Sequence, residues 1–376
     1  MHYLAITTPT LQRSLTVLAG ICLTILLIQL ADRIQPRSYT FRWQNISSRF
    51  QLRVIWMSLG AIIVITILAG VGLIVGDYPI PASKAIATAL WDRNGEYDFI
   101  VNSLRFPRII VAILAGMCFA SSGLIFQSLI NNPLVSPDII GINSGAAVLA
   151  VAILAAGGNI AYLPYAAFLG ALLTAALIYL LSWKRGISAT RLVLVGIGIN
   201  AVLGAIITYI TIKYPIERVI AAARWQAGTL FGATWDDART LSIGLLFLLP
   251  PAFFLTTRLR ILQLGDETAI TIGSKIERDR LALLAVASLL AALAVSVVGP
   301  LGFVALIVPQ AARLLLGSIT GGVLIFTALL GGFFLLGADL IAQRLFAPVM
   351  LPAGVITATF GGPYFLYLLA RYNRAN

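Results

Sequence analysis

The sequence predicts an all-α integral membrane protein. Of its 376 residues, 60% are hydrophobic and only 11% are charged, and the mean hydropathy is +0.97. An average soluble domain is about 25% charged. A membrane-spanning helix needs about 20 mostly apolar residues, and an ionised side chain at its centre costs roughly 2.5–3.5 kcal/mol on insertion scales. Charged residues should therefore mark the loops.

Apolar runs between the charged residues predict about ten transmembrane helices. No linker divides them, so residues 52–376 are expected to form one membrane domain. The predicted spans are 52–76, 107–130, 141–158, 163–183, 191–212, 241–257, 281–298, 301–317, 321–342 and 352–370.

Residues 1–51 form an N-terminal extension in front of this domain. Its run 14–31 is uncharged and long enough to cross the membrane, which would add an eleventh helix. The run is long for a signal peptide and no small-residue cleavage site follows it. An interfacial segment or an upstream choice of start codon are the alternatives.

Basic residues in short loops predict the orientation, because such loops stay in the cytoplasm. The segment 32–53 carries five arginines against one aspartate. Counting spans from there also places the basic stretches 184–191, 258–280 and 371–374 inside. The opposite loops, 77–104 and 213–240, hold acidic residues mixed with a few basic ones and are expected to lie outside.

The net charge of +12 does not by itself indicate nucleic-acid binding. The basic residues are scattered through loops beside the membrane, where they act as topology determinants next to anionic lipid. Cys22 and Cys118 lie in apolar runs and His2 is the single histidine. The sequence therefore predicts no metal site and no catalytic residue.

Proline and glycine interrupt apolar segments in both halves of the chain. In transporters, paired interruptions of this kind point to inverted repeats around a central pathway. Ordinary helix packing is the alternative for any single glycine, since small residues let membrane helices approach closely. The residues at these predicted breaks are Asn132, Pro133, Pro137 and Gly141, then Gly299, Pro300, Gly302 and Pro309.

Several motifs in a fixed order resemble those of the FecCD-type permeases, the membrane subunits of ABC importers for ferric siderophores, haem and cobalamin. The resemblance covers roughly residues 55–371. The motifs are Leu104-Arg105-Phe106-Pro107-Arg108; Asn131-Asn132-Pro133-Leu134 with Pro137, Gly141 and Ser144-Gly145; Leu264 to Ala269 with Ile272-Gly273 and Glu277-Arg278; Gly299-Pro300-Leu301-Gly302-Phe303 with Ile307-Val308-Pro309; and Ala338-Asp339 with Leu351-Pro352-Ala353-Gly354 and Gly361-Gly362-Pro363.

The resemblance implies a ten-helix permease of the type II importer fold, placed in the bacterial cytoplasmic (inner) membrane. It further implies a second permease subunit, identical or related, two cytoplasmic ABC ATPases that bind ATP and Mg, and a periplasmic substrate-binding protein. The chain itself would bind no cofactor and would not be an enzyme. Siderophores are the commonest cargo that it suggests, with haem and cobalamin as alternatives.

The resemblance also implies a role for arginines at the outer rim. Arg105 and Arg108 match a motif whose arginines pair with glutamates of the binding protein, and arginine offers a rigid fork to carboxylates. Anchoring to lipid headgroups is the alternative. Arg344 lies near a further docking arginine of the family, shifted by one position behind Gln343.

The loop between spans six and seven is the predicted energy-coupling helix. Acidic residues open this segment and Gly273 suits its C-terminal end. The resemblance implies that the helix sits in a groove of the ATPase; a surface helix without a partner is the alternative. Its residues are Leu264, Gly265, Asp266, Glu267, Thr268, Ala269, Ile272 and Gly273.

The chain departs from the family toward the end of span eight and in its N-terminal extension of about 50 residues. Gln310 stands where the family usually has histidine, and 317–322 replaces a basic-acidic turn.

Two other classes of function are the alternatives to an importer. An ion-coupled transporter would carry acidic residues at membrane depth, where only Asp339 comes close. An intramembrane enzyme needs a nucleophile and a base within reach, and the sequence suggests neither. No G-x-x-x-x-G-K-[ST] nucleotide loop occurs in the chain.

Overall fold

The computed structural model describes residues 38–43, 46–76, 78–92, 95–184, 186, 188–345 and 350–375. The predicted eleventh span, 14–31, lies outside the described residues. Within the described part, the extension contributes one antiparallel hairpin, in which β1 (Ser38–Trp43) pairs with β2 (Ile46–Gln51). The alternation of aromatic and polar residues along β1 is a strand signal that the apolar-run analysis did not use.

The membrane domain is all-helical. Besides the α-helices it contains a π-helical segment, Phe99–Arg105, and a 3₁₀ turn, Ile160–Tyr162. The α-helices are α1 Leu52–Ile74, α2 Ala82–Leu90, α3 Phe106–Ile130, α4 Pro137–Ile140, α5 Ile142–Ala156, α6 Leu163–Ser182, α7 Ala189–Lys213, α8 Ile216–Gln226, α9 Trp235–Leu262, α10 Asp266–Thr271, α11 Ile276–Val298, α12 Val304–Leu316, α13 Gly321–Arg344 and α14 Ala353–Ala375.

A helix stands at each of the ten predicted spans. Eight are long and apolar enough to cross a membrane, while α5 and α12 are apolar but have only 15 and 13 residues. At 1.5 Å per residue, α12 covers about 20 Å of a hydrocarbon core about 30 Å thick. It is short because residues 301–303, the start of the predicted span, are not helical.

Helix α9 is longer than predicted at both ends, since the prediction placed it at 241–257. Thr234 and Asp237 form a capping box at its start, in which the Asp237 carboxylate accepts from the Thr234 amide at 2.9 Å. Acidic residues favour a helix N-terminus, so charges that looked like loop signals instead belong to the first turn. Pro250 and Pro251 lie inside the continuous helix.

Helix α3 is the centre of the domain and packs against α13, α11, α9 and α12. In its most apolar window 78% of the residues are buried, against 6% in α7. Gly116 and Gly331 set the crossing of α3 with α13: a Cβ on either would lie 2.2 Å from the other's carbonyl oxygen. Small residues allow membrane helices to approach this closely.

Candidate functional site

The sharpest break in the membrane domain lies between α11 and α12. Gly299 has φ +76°, and a Cβ there would lie 2.5 Å from the carbonyl oxygen of Trp225. Phe303 also has positive φ, +68°, a conformation that costs a bulky residue roughly 1–3 kcal/mol. A strained backbone of this kind persists only where the surrounding structure fixes it.

Backbone contacts from two other segments hold this break. The Thr229 amide donates to the Val298 carbonyl at 2.9 Å, and the Gly354 amide donates to the Gly228 carbonyl at 3.1 Å. A Cβ on Gly228 would lie 2.4 Å from the Pro300 carbonyl oxygen. The start of α14, the α8–α9 loop and the break therefore meet at one place.

An open cavity of about 550 Å³ lies at this meeting point. That volume is within the range of small-molecule sites. Most of its lining residues are small, and Gln226 and Thr359 carry the polar side chains. The lining residues are Gln226, Ala227, Pro300, Gly302, Gly354, Val355, Ala358 and Thr359.

The predicted breaks contribute unequally to this cavity. Pro300 and Gly302 line it, whereas Gly299 lies behind the wall against Trp225. The prediction that Pro309 marks a break is wrong, because α12 continues through it to Leu316. The lost amide of Pro309 is compensated from outside the helix: Gln127 Nε2 donates to the Ala305 carbonyl at 3.2 Å.

The early interruption forms a compact turn between α3 and α5. Asn131 ends α3 with φ +54°, and Asn132 Oδ1 accepts from the Leu134 amide at 2.9 Å. Pro137 opens α4, and Gly141, with φ +103°, joins α4 to α5 beside Asn200 of α7. Pro133 lies within the turn; its carbonyl oxygen is 3.5 Å from Gln310 Nε2.

The early and late interruptions touch through Asp138, a residue that the sequence analysis missed. Its carboxylate interacts with the backbone amide of Phe303, and a Cβ on Gly302 would lie 3.9 Å from its Oδ2. A carboxylate suits this place because the first amides of α12 have no partner within the helix. The only sequence signal was the position of Asp138 directly after Pro137.

The two arginines of the predicted docking motif both bind within the chain. Arg105 donates from Nη1 to the Leu73 carbonyl at 2.7 Å and from Nη2 to the Tyr78 carbonyl at 2.6 Å. The Leu73 carbonyl is one of the last of α1, which lack helical partners. Arg105 therefore closes the end of that helix.

Arg108 forms a two-pronged ion pair with Asp339 of α13. Nε lies 2.9 Å from Oδ2 and Nη2 lies 2.8 Å from Oδ1, with the side chains 13% and 2% exposed. Gln343 Nε2 also donates to Asp339, at 2.8 Å. This pairing argues against Asp339 as an ion-coupling carboxylate.

Arg344, the third arginine of the predicted docking set, is half-buried and is the last residue of α13. Docking of a binding protein by Arg105, Arg108 and Arg344 stays a prediction.

The predicted coupling segment contains a helix, α10, which is shorter than the predicted range. Gly265 precedes it with φ +96°, and Gly273 follows it with φ +88°, as its predicted place at the C-terminal end requires. Arg280 Nη2 binds Asp266 Oδ1 at 2.7 Å, which ties the helix to α11. Ala269 is fully buried.

Three apolar side chains of this segment are nevertheless exposed. Leu264 is 61% exposed, Ile270 63% and Ile272 57%. They belong to the loop that the charge pattern places in the cytoplasm, outside the lipid. Exposed apolar residues on a loop of this kind are typical of a protein interface. Glu267 and Thr268 complete the exposed surface of the segment.

Comparisons with known proteins agree with this architecture. The model of the FecCD transport family matches residues 60–371. The chain is 38% identical over 310 residues to the ferric enterobactin transport system permease protein FepG of Escherichia coli (strain K12), covering 82% of this chain and 94% of the relative. It is 36% identical over 359 residues to the cobalamin import system permease protein BtuC of Halobacterium salinarum, covering 93% and 94%.

A further relative and a solved structure complete these comparisons. The Fe(3+)-citrate import system permease protein YfmE of Bacillus subtilis (strain 168) is 38% identical over 325 residues, covering 86% of this chain and 97% of the relative. A solved inward-facing metal-chelate type ABC transporter superposes with a TM-score of 0.74 at 25% identity, covering 84% of this chain and 99% of its own.

Proposed function

Because this chain belongs to the FecCD transport family, we propose that it is the permease through which an ATP-driven importer moves a ferric siderophore across the cytoplasmic membrane. The chain is a multi-pass membrane protein and a permease of the metal-chelate type of ABC importer. The siderophore, the partner subunits and the inner membrane are parts of the proposal.

The observation that carries the proposal is the open cavity beside Pro300 and Gly302. Non-helical backbone at membrane depth is tolerated where protein covers it or where it lines a water-filled space. A wall of mostly small residues offers a chelate few strong contacts, so that the cargo can leave again. The cavity is open, and we infer that a second permease subunit, identical or related, covers it.

The exposed apolar residues around α10 support an ATPase partner. The chain carries no nucleotide loop of its own, so the energy would come from two separate ABC ATPases that bind ATP and Mg. A periplasmic binding protein would deliver the cargo at the outer rim, near Arg105 and Arg108. Two of the relatives named above are iron-chelate permeases by name, which favours a ferric siderophore over haem or cobalamin.

The test is to purify the tagged full chain from its native membrane in mild detergent and to identify what copurifies by mass spectrometry. We expect an ABC ATPase with the unchanged chain and with the control Thr271→Ala, since Thr271 is exposed beside the apolar residues. Ile270→Asp should reduce ATPase recovery at least about tenfold, which corresponds to roughly 1.4 kcal/mol of interface energy.

Uptake completes the test. Proteoliposomes holding the complex should accumulate a radiolabelled ferric siderophore when ATP is inside and the binding protein outside. Repeated recovery of the intact chain without any ATPase would contradict the proposal and would favour an ion-coupled transporter. Uptake of haem or cobalamin instead of the siderophore would change the cargo and leave the importer class standing.

A further inference from the structure

We propose that Gln127 is the positioning residue that joins the α10 coupling segment to the helix break beside the cavity. The inference rests on the proposed function, because it concerns how movement of that segment would reach the cavity wall. Gln127 lies near the cytoplasmic end of α3 and is fully buried. Both ends of its side-chain amide bind α12, the donor end at backbone carbonyls and the acceptor end at side chains.

The donor end of Gln127 fixes the first turn of α12. Nε2 donates to the Ala305 carbonyl at 3.2 Å and to the Leu306 carbonyl at 3.0 Å. Pro309 has no amide hydrogen, so the Ala305 carbonyl lacks its partner four residues on. The glutamine therefore replaces a helix hydrogen bond, two residues after the strained Phe303 and three after the cavity-lining Gly302.

The acceptor end of Gln127 binds two polar side chains of α12. Gln127 Oε1 accepts from Gln310 Nε2 at 2.9 Å and from Arg313 Nη2 at 3.1 Å. This arrangement also fixes the orientation of the amide, because the opposite orientation would turn Oε1 toward two carbonyl oxygens. Four positions of α12 thus bind one buried side chain of α3.

The next residue of α3 makes the connection to the coupling segment. The Ser128 carbonyl accepts from Gln263 Nε2 at 3.3 Å, and Ser128 Oγ accepts from Arg313 Nη2 at 3.3 Å. Gln263 caps α9 directly before Leu264. A continuous path therefore runs from the exposed coupling segment through Ser128 and Gln127 to α12.

The helices leave no room for α3 and α12 to slide past each other here. A Cβ on Gly123 would lie 1.9 Å from the Ala305 carbonyl oxygen. With α12 in direct backbone contact with α3, a displacement at Gln263 should move the start of α12 and the cavity wall with it. Packed helices joined by hydrogen bonds carry coupling of this kind.

The test separates coupling from stability in the reconstituted complex. Gln127→Glu keeps an oxygen that accepts from Gln310 and Arg313. It loses the two hydrogen bonds that Nε2 donates to the Ala305 and Leu306 carbonyls. We expect basal ATP hydrolysis within about twofold of the unchanged complex, while cargo moved per ATP falls at least about fivefold. Gln127→Glu combined with Pro309→Ala should regain most of that loss, because residue 309 then supplies the missing amide.

Two further variants complete the design. Ser122→Ala removes another fully buried hydrogen bond of α3, to the Ala287 carbonyl of α11, and should lower the unfolding temperature without changing cargo moved per ATP. Gln263→Met removes the hydrogen bond to the Ser128 carbonyl, at the end of the path beside the coupling segment, and leaves α12 unchanged. It should lower cargo moved per ATP even if Gln127→Glu fails to fold.

Cargo per ATP that is unchanged in Gln263→Met, or in Gln127→Glu, would overturn the inference. So would a Gln127→Glu defect that Pro309→Ala does not relieve, because the role would then be general packing. If the unchanged complex itself shows no ATP-driven uptake, the proposed function falls and the inference with it. If the unchanged complex and every variant show normal uptake, the inference is overturned but the proposed function stands.

Discussion

Arg108 and Asp339 show how a membrane domain accommodates two charges at its outer end. Each carboxylate oxygen meets a guanidinium nitrogen, and Gln343 adds a third donor. Removal of one partner from a buried ion pair leaves the other charge uncompensated, which is much more costly than replacing both. The pair therefore fixes α3 against α13.

This pair gives a prediction at the scale of single residues. Asp339→Asn should lower the free energy of unfolding by about 3 kcal/mol, whereas Arg108→Met with Asp339→Leu should lower it less than Asp339→Asn alone. Unfolding of the detergent-solubilised chain in increasing sodium dodecyl sulfate would measure both. A double variant that loses as much stability as Asp339→Asn, or more, would contradict the prediction.

The sequence could place Arg105, Arg108 and Asp339 near outer helix ends, because charges end apolar runs. It could not pair Arg108 with Asp339, since 231 positions separate them and no periodicity relates them. Gln127 was missed for a similar reason: a single glutamine in an apolar run gives no sign of which carbonyls it meets. Its importance follows from Pro309, on another helix.

At the scale of elements, composition predicted the helix positions and most helix ends, but not the ends of α9 and the start of α12. The hydrophobic run gave α6 to within one residue at its C-terminal end, 182 against 183. It failed for α9, where charges belong to the first and last turns, and for α12, where Gly299 to Phe303 leave the helical conformation. The ends of α9 and α12 depend on capping and on contacts with other segments.

Glycines on α13 allow a matched prediction about the crossing with α3. Gly331→Ala should lower stability by roughly 2 kcal/mol, since its Cβ would lie 2.2 Å from the Gly116 carbonyl oxygen and the helices must separate. Gly337→Ala, where nothing lies within 4 Å of an added Cβ, should be neutral or stabilising by up to about 1 kcal/mol. Thermal unfolding of both variants checks this; equal midpoints would contradict it.

At the scale of the whole molecule, buried and exposed helices are arranged unevenly. Helix α3 lies in the middle, while α7 is covered by little of its own chain. The sequence predicted a helix at each of the ten apolar runs, but not which helices border the cavity. The cavity forms where the α8–α9 loop, the α11–α12 break and the start of α14 meet, and these three segments are far apart in the sequence.

Water access distinguishes the cavity from the lipid-facing surface. In a Cys22→Ala background, where Cys118 is buried, Ala358→Cys should react roughly tenfold faster with a water-soluble maleimide than Ile243→Cys, because the thiolate forms only in water. Ile243 is 46% exposed on α9 but does not line the cavity. Equal labelling rates in native membranes would mean that the cavity is filled with lipid.

The composition of the cavity wall has a consequence for how such a transporter changes over generations. Five of its eight lining residues are glycine, alanine or proline, and the backbone contacts around Gly228, Gly299 and Gly354 leave no room for larger ones. Of these three glycines Gly354 lines the cavity, so a larger side chain there should damage the fold before it alters the chemistry of the wall. If a separate binding protein delivers the cargo, as proposed, we expect a lineage to gain a new nutrient by exchanging the gene of that receptor while this gene is inherited almost unchanged.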